Sequence, residues 1–499
     1  MKKKTMILAC AIAFLAVGCG KTDSTKTVSS IDDLEGATIG VQLGTTGEIY
    51  ASDYEGDEAG TVVERYNKVT DAMQALKQGK IDCVIADEQP AIATVNKEGS
   101  LVILDEPFTL EDYAICIAKD NDDLLTEVNG ALSELKAEGT LDAIIANYIG
   151  TEDEIGTFQY ESPEDVSYDN GTLTVATNAT FQPYEYYENG EIIGIDMDII
   201  TAIGDKIGRQ VVIEDIEFDA IINAVVSHKV DCGIAGMTMT EERALSVSFT
   251  DSYITSKQVI VVRDENGASA DETFVEAFKR NFIQDSRYSY ILKGLKNTII
   301  IAFCAVIIGM IIGFLVAIVR VTYDKTGALS ILNQICKIYL GVIRGTPMMV
   351  QLLIIYYVVF QSVNVPKLLV AIIAFAINSG AYVAEIMRGG IMSIDGGQME
   401  AGRSLGLNYK QTMTSIILPQ AIKNVLPSLA NEFISLIKET SICGYIGLID
   451  LTRGGDIIRG ITYEAFLPLI AVAIIYLIIV QCLNLGVGKL ENSLRKNER

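Results

Sequence analysis

Lys80-Ile81-Asp82-Cys83-Val84-Ile85-Ala86 returns later in the chain as Lys229-Val230-Asp231-Cys232-Gly233-Ile234-Ala235. Each copy is reached through a helical pattern, Asp71-Ala72 to Ala75 in the first case and Asp219-Ala220 to Ala224 in the second. A lysine and an aspartate ahead of a short apolar run read as a helix ending and a buried strand beginning. Two generic helix-to-strand transitions would give the same letters, so the surroundings decide. Over residues 31–147 and 173–263, short β-branched runs alternate with helical patterns, the order that builds βαβ units and a parallel sheet. Strands are expected at 38–42, 83–86, 172–177, 211–213 and 258–262. The expectation is a pair of similar α/β lobes.

Charge divides the 499 residues into three parts. Residues 1–19 carry 3 basic and 0 acidic side chains, 20–270 carry 15 and 49, and 271–499 carry 21 and 15. The segment nets of +3, −34 and +6 make up the chain's −25, while the mean hydropathy is +0.32, so an acidic region and an apolar one share one polypeptide. So acidic a middle excludes nucleic acid as a partner. His228 is the single histidine, which excludes a His-rich metal site; it reads as a solvated loop residue, and no metal is expected. No GxxxxGK[ST] occurs, so this chain has no P-loop and any ATP would be used by a partner subunit. Cys83, Cys116 and Cys232 lie in apolar strand-like runs and read as buried small hydrophobes rather than a disulfide framework.

Residues 1–19 read as a lipoprotein-type signal peptide. Lys2, Lys3 and Lys4 precede an apolar run over residues 6–17, too short to span hydrocarbon comfortably but right for an h-region. It ends in Leu15-Ala16-Val17-Gly18-Cys19, which resembles a lipobox with Cys19 as the lipidated residue, Ala16 standing where that pattern more often has Leu. Export of the acidic region is expected with or without lipidation.

Within that region, Val175-Ala176-Thr177-Asn178-Ala179-Thr180-Phe181-Gln182-Pro183-Tyr184-Glu185, Gly194-Ile195-Asp196-Met197-Asp198 and Gly236-Met237-Thr238-Met239-Thr240-Glu241-Glu242-Arg243 closely resemble the first lobe of periplasmic-type binding proteins for polar amino acids. Leu34-Glu35-Gly36, Val41-Gln42-Leu43-Gly44-Thr45-Thr46-Gly47, Ile81 to Asp87 and the helix pair over 122–148 resemble that family's second lobe and closing helices. In the family the first-lobe motifs come first; here they come second. A circular permutation accounts for this, with residues 20–150 as second lobe and closing helices, 151–170 as an acidic linker containing Ser162-Pro163, and 171–265 as first lobe. Two incomplete tandem copies, or lobes exchanged between protomers, are the other arrangements of the same motifs.

A zwitterionic amino acid needs a cation for its carboxylate, an anion for its ammonium group and an apolar wall. Arg243 offers a planar fork for the carboxylate. Asp87, just after an apolar strand, supplies the counter-charge for the ammonium group. Thr238, Thr45 and Thr46 add hydroxyl and backbone donors, and Phe181 and Phe218 add apolar faces. The resemblance places these residues, with Gly236 and Asn178, at the family's ligand contacts. Members that bind basic amino acids or glutamine tend to be acidic at the position of Asn178. An asparagine cannot neutralise a cationic side chain, so a glutamine-like neutral polar ligand is expected.

From residue 291 to 490 the chain reads as a membrane domain, preceded by a linker and elbow at 266–290. Residues 299–319 form an uncharged apolar run long enough to cross a bilayer. Similar runs occupy 348–363, 368–384 and 465–487, and a fifth over 424–449 is broken by Glu432, Lys438 and Glu439. Five crossings that start outside place the C-terminus in the cytoplasm, along with Arg320, Lys325, Lys337, Arg344, Arg388, Arg403 and Lys410. Lys279, Arg280, Arg287, Lys293 and Lys296 then fall outside, where an interfacial elbow helix would hold them. Ionisable residues at membrane depth commonly line a substrate path, which makes Glu432, Lys438 and Glu439 candidates for the translocation pathway; Lys438 and Glu439 could equally snorkel at an interface.

Glu400-Ala401-Gly402, three residues, Gly406, nine residues and Ile416-Ile417-Leu418-Pro419 match the EAA loop of ATP-binding-cassette importer permeases at every spaced position except Gly402, which replaces an alanine. Arg344-Gly345-Thr346-Pro347 and Lys438-Glu439-Thr440-Ser441 resemble the polar amino acid permeases. The resemblance implies that loop 400–419 seats on an ATPase subunit through Glu400, Ala401 and Gly406. The expected whole is a multi-domain chain: a bilobed α/β binding domain, circularly permuted, followed by an all-α five-helix permease. Its partners would be an amino acid, separate ATPase subunits, a second permease half, by homodimerisation for preference, and the lipid membrane, with no cofactor of its own. An amino-acid-gated channel or a sensory receptor would also join a bilobed receptor to membrane helices. A channel would insert its pore between the lobes and carry a filter such as TVGYG, and a receptor would need an output domain; neither pattern occurs in the sequence.

Overall fold

The computed structural model describes residues 26–56, 60–264, 273–361, 363 and 365–496; the expected signal peptide and Cys19 lie outside the described residues. Two units divide the chain. One takes the stretch up to Asp112 together with the stretch from Thr255, and the other takes Tyr113–Ile254 with the helices from Phe274–Phe278 onwards.

The first unit is built on a six-stranded sheet. Val62–Tyr66, Thr38–Gln42 and Cys83–Asp87 run parallel, and Ile254–Arg263 joins the last of them antiparallel, Ile260 opposite Ile85. Side chains alternate across a strand, and Cys83–Asp87 is buried along its whole length because both faces are covered. Val84 packs with Leu76, Ala91 and Val261 on one face, and Cys83 and Ile85 pack with Leu34, Val41 and Ile260 on the other.

The second unit opens with a five-stranded sheet in the order Gln210–Asp215, Thr172–Thr177, Cys232–Gly233, Cys116–Ala118, Val247–Phe249. Its first three strands are parallel. The Cys116–Ala118 strand comes from the earlier half of the sequence and pairs antiparallel with both neighbours. Helices Asp122–Glu138, Thr140–Ile149 and Ile195–Ile207 close one face through Leu132, Ile144 and Ile200. The stretch 113–149, which carries the closing helices, thus lies with the second unit's sheet, to which it contributes the Cys116–Ala118 strand.

The helical remainder begins with the 39-residue helix Tyr288–Thr326. It packs on Lys367–Met392, and Gly313 lets the backbones approach: a Cβ there would lie 2.5 Å from Val383 Cγ1. Ile299, Phe303, Ile307, Ile311 and Leu315 point outward from the same helix, the arrangement of a membrane protein whose apolar surface meets lipid. Among the described residues, three helices are long and apolar enough to cross a membrane, Tyr288–Thr326, Lys367–Met392 and Phe466–Ser493. A fourth counts if Ser330–Gly345 and Met348–Val359, bent by 110°, form one broken span. The expected fifth crossing over 424–449 is not one apolar helix. Leu418–Glu439 contains Pro427 and Glu432, ends at Glu439, and gives way to a 3-10 turn over Thr440–Ile446.

Candidate ligand and coupling sites

In the first unit the three expected contacts lie at the carboxyl ends of two neighbouring parallel strands, the end at which open α/β sheets bind ligands. Thr45 caps helix Thr46–Ser52, its hydroxyl accepting from Glu48 N at 3.4 Å and donating to the Gln42 carbonyl at 2.7 Å. That hydroxyl is held by its own turn. Thr46 is buried, and its Oγ1 accepts from Gln258 Nε2 at 3.4 Å, while the same amide donates to Glu111 Oε2 at 3.1 Å. Asp87 is buried where Cys83–Asp87 turns into helix Glu88–Glu98.

In the second unit, Phe181, Gly236, Thr238, Arg243 and Phe218 form one cluster after the carboxyl ends of Thr172–Thr177, Gln210–Asp215 and Cys232–Gly233. Arg243 rises from the short helix Glu241–Ala244, capped by Thr240. Its Nη1 donates to the Thr238 carbonyl at 2.6 Å, and its guanidinium lies 5.5 Å from the Phe218 ring centre. These contacts orient the fork before any ligand arrives. Gly236 adopts φ +54°, and a Cβ there would sit 2.5 Å from Phe181 Cε1, so glycine lets the aromatic wall close over the loop. Phe181 stacks on Tyr184 at 5.3 Å, and Tyr184 meets Tyr113 edge-on.

Asn178 is hydrogen-bonded within the protein at both ends of its amide. Its Nδ2 donates to the Ile216 carbonyl at 2.7 Å and its Oδ1 accepts from the Thr180 hydroxyl at 2.9 Å, with the side chain buried. The amide nitrogen ties the turn after Thr172–Thr177 to the end of the neighbouring strand, and the oxygen holds Thr180 within the turn itself. The letter alone could not show that the protein itself takes up these bonds.

Asp196 supports the cluster from behind and was not singled out from sequence. It is fully buried at the start of helix Ile195–Ile207, where its Oδ2 accepts from Gly236 N at 2.8 Å and from the Tyr253 hydroxyl at 2.9 Å. Burial pushes its carboxyl up to about 6, with those two hydrogen bonds and one with Glu185 pulling the other way. Its letter is visible in the Gly194 to Asp198 motif, but its partners lie 40 and 57 residues away.

Along the permease, Glu400 and Ala401 are exposed on helix Gly396–Ser404. The helix ends at Gly406, φ +86°, with Leu407 N bonded to the Gly402 carbonyl at 3.2 Å. Gly402 is buried, and a Cβ there would sit 2.5 Å from Thr412 Cγ2, which accounts for the one departure from the loop pattern. Leu405 is 81% exposed beside it. Glu432 is half-buried next to Ser379, whereas Lys438 and Glu439 stand exposed in the last turn of Leu418–Glu439.

Residues 173–438, more than half of the 499, match the family described as bacterial extracellular solute-binding proteins, family 3. The chain belongs to that family. Its permease part is 40% identical over 197 residues to the putative glutamine transport system permease protein of Rickettsia typhi, covering 39% of this chain and 88% of the relative. It is 37% identical over 211 residues to the arginine transport system permease protein of Bacillus subtilis, covering 42% and 94%. Among solved structures, an amino acid ABC transporter with histidines is similar, with 41% identity, coverage of 42% of this chain and 98% of that one, and a TM-score of 0.40. A family 3 solute-binding domain and an ABC-type permease thus share one polypeptide, the fold class expected from sequence.

Proposed function

We propose that this chain is the combined substrate-binding and permease subunit of an ATP-binding-cassette importer for polar amino acids, with a glutamine-like neutral ligand. The observation that carries the reading is the Arg243 fork oriented by the Thr238 carbonyl and the Phe218 ring, on a family 3 lobe joined to a permease whose relatives are named for glutamine and arginine transport. Arg243 would hold the α-carboxylate bidentately, Asp87 the ammonium group, and Thr238, Thr45 and Thr46 the remaining polar edge, with Gly236 allowing the close approach. Asn178 contributes by fixing the turn. It therefore bears on ligand charge only by bringing no anion of its own to the wall.

The permuted order is supported by strand sharing: Cys116–Ala118 completes the later half's sheet and Ile254–Arg263 completes the earlier half's. The exposed Glu400, Ala401 and Leu405 around the Gly406 turn fit a loop that seats on an ATPase subunit. Two permease halves, by homodimerisation, would recruit two such ATPases. The binding domain would lie outside and the C-terminus inside the cell, with Cys19 lipidated. Covalent attachment gives the receptor an effective concentration of roughly millimolar at its own permease. Glu432, at membrane depth, is the strongest candidate for the pathway, ahead of the exposed Lys438 and Glu439.

The test is calorimetry on the full chain in lipid nanodiscs against the twenty amino acids. Glutamine binding that drops at least 100-fold in Arg243→Ala is expected. Arginine or lysine binding tenfold tighter than glutamine would reject the neutral-ligand reading. Uptake into proteoliposomes that needs both ATP and a co-purified ATPase is expected; ligand-evoked current without ATP would place the chain among channels.

A further inference from the structure

Arg453 belongs to no motif in the sequence, yet its side chain is buried at 2% exposure on helix Leu451–Thr462 of the permease. Its Nη2 donates to Asp215 Oδ2 at 2.7 Å and its Nη1 to Glu217 Oε1 at 2.6 Å, both on the first lobe. A buried ion pair is a weak source of net stability, because desolvation offsets the attraction, so its value lies in fixing one arrangement. Here the arrangement fixed is the back of the ligand wall. Asp215 Oδ1 accepts from Ala179 N at 3.1 Å, and Oδ2 also accepts from the Tyr187 hydroxyl at 3.1 Å. The next residue, Ile216, accepts the Asn178 amide at 2.7 Å, and Phe218 carries the face over which Arg243 sits. In this run of four residues, Asp215 and Glu217 bond the permease, while Asp215, Ile216 and Phe218 touch residues of the proposed amino acid wall.

The permease end is equally fixed. Asp450 caps the Arg453 helix through Thr452 N at 2.8 Å and Arg453 N at 3.3 Å, and Leu451 N donates to Thr298 Oγ1 at 3.2 Å on the first membrane helix. Gly294 of that helix packs directly on the Asp450 carbonyl. A second ion pair, Lys367 with Glu214, touches the same lobe one residue before Asp215 on strand Gln210–Asp215, where successive side chains point to opposite faces.

We propose that Arg453 is a positioning residue of the permease that couples its grip on the first lobe to the amino acid site, by holding Asp215 and Glu217 in the geometry that keeps Ala179, Asn178 and Phe218 ready for ligand. The coupling is reciprocal: a latch that favours the ligand-ready wall must itself be strengthened by ligand. This inference rests on the proposed function for its ligand.

The experiment uses the full chain in nanodiscs, with L-glutamine as the calorimetric probe and hydrogen exchange as a second readout. Arg453→Gln is expected to weaken glutamine binding at least tenfold and to speed exchange at Ala179, while the Thr172–Thr177 strand stays protected. Arg453→Lys is expected to recover part of the affinity, and Lys367→Gln to stay within twofold of the native chain. Affinity within twofold in Arg453→Gln, or an equal loss in Lys367→Gln, would overturn the coupling. If the native chain binds none of the twenty amino acids, the functional reading fails; the latch then stands or falls on whether Arg453→Gln alone speeds exchange at Ala179.

Discussion

Asp196 shows what one buried carboxyl does to this fold. Its ordinary value of 3.8 is pushed up to about 6, so between those values the folded chain holds a proton that the unfolded chain has released. A raised acid stabilises fully below its unfolded value and loses that contribution as pH rises through the folded one. Melting of the full chain, followed by tyrosine circular dichroism at pH 4.5 and 7, should show this contribution, at most about 3 kcal/mol, shrinking towards neutral pH. Asp196→Asn keeps a neutral acceptor for Gly236 N and the Tyr253 hydroxyl, and its melting difference between the two pH values should be smaller. An unchanged difference would assign the pH dependence to other groups. At this scale the sequence supplied side-chain types, such as an arginine and a phenylalanine, and the structure brings Arg243 over the Phe218 ring. The sequence was not legible for Asp196 or Asn178, whose roles depend on partners supplied by distant turns.

Elements were legible to the extent that periodicity governs them. The expected 38–42 and 172–177 strands have the bounds observed, and 83–86, 211–213 and 258–262 fall inside Cys83–Asp87, Gln210–Asp215 and Ile254–Arg263. Membrane crossings were less so, because a charge-broken run can be a helix, a turn or both, and Pro427 with Glu432 makes 424–449 a mixture. Two predictions belong here. Gly402→Ala would place a methyl group against Thr412 Cγ2 and force the helix-turn unit apart; coupled ATP hydrolysis and uptake should fall several-fold in proteoliposomes with glutamine binding unchanged. Native rates would mean that Thr412 yields without cost. Glu432→Ala should reduce uptake while calorimetric glutamine affinity is retained, and Lys438→Ala, exposed in the last turn, should do so less. Unchanged uptake in both would remove the pathway role.

At the scale of the molecule, the order of the sequence and the order of the sheets do not coincide. The earlier half lends Cys116–Ala118 to the sheet of the later half, and the later half returns Ile254–Arg263 to the sheet of the earlier. The motifs revealed both halves but left open whether each was self-contained, since strand pairing across more than a hundred residues has no local signature. Central strands cannot be withdrawn without exposing both neighbours' backbone groups, so each half should be unable to leave the other. Glu161, Ser162, Pro163 and Glu164 are exposed in the linker between the halves. A protease site inserted at Ser162-Pro163 and cleaved in the assembled chain should leave the two fragments co-eluting from a sizing column in detergent, with glutamine affinity within threefold of the uncut protein. Release of the N-terminal fragment on cleavage would show instead that the halves are independent copies held by the linker alone.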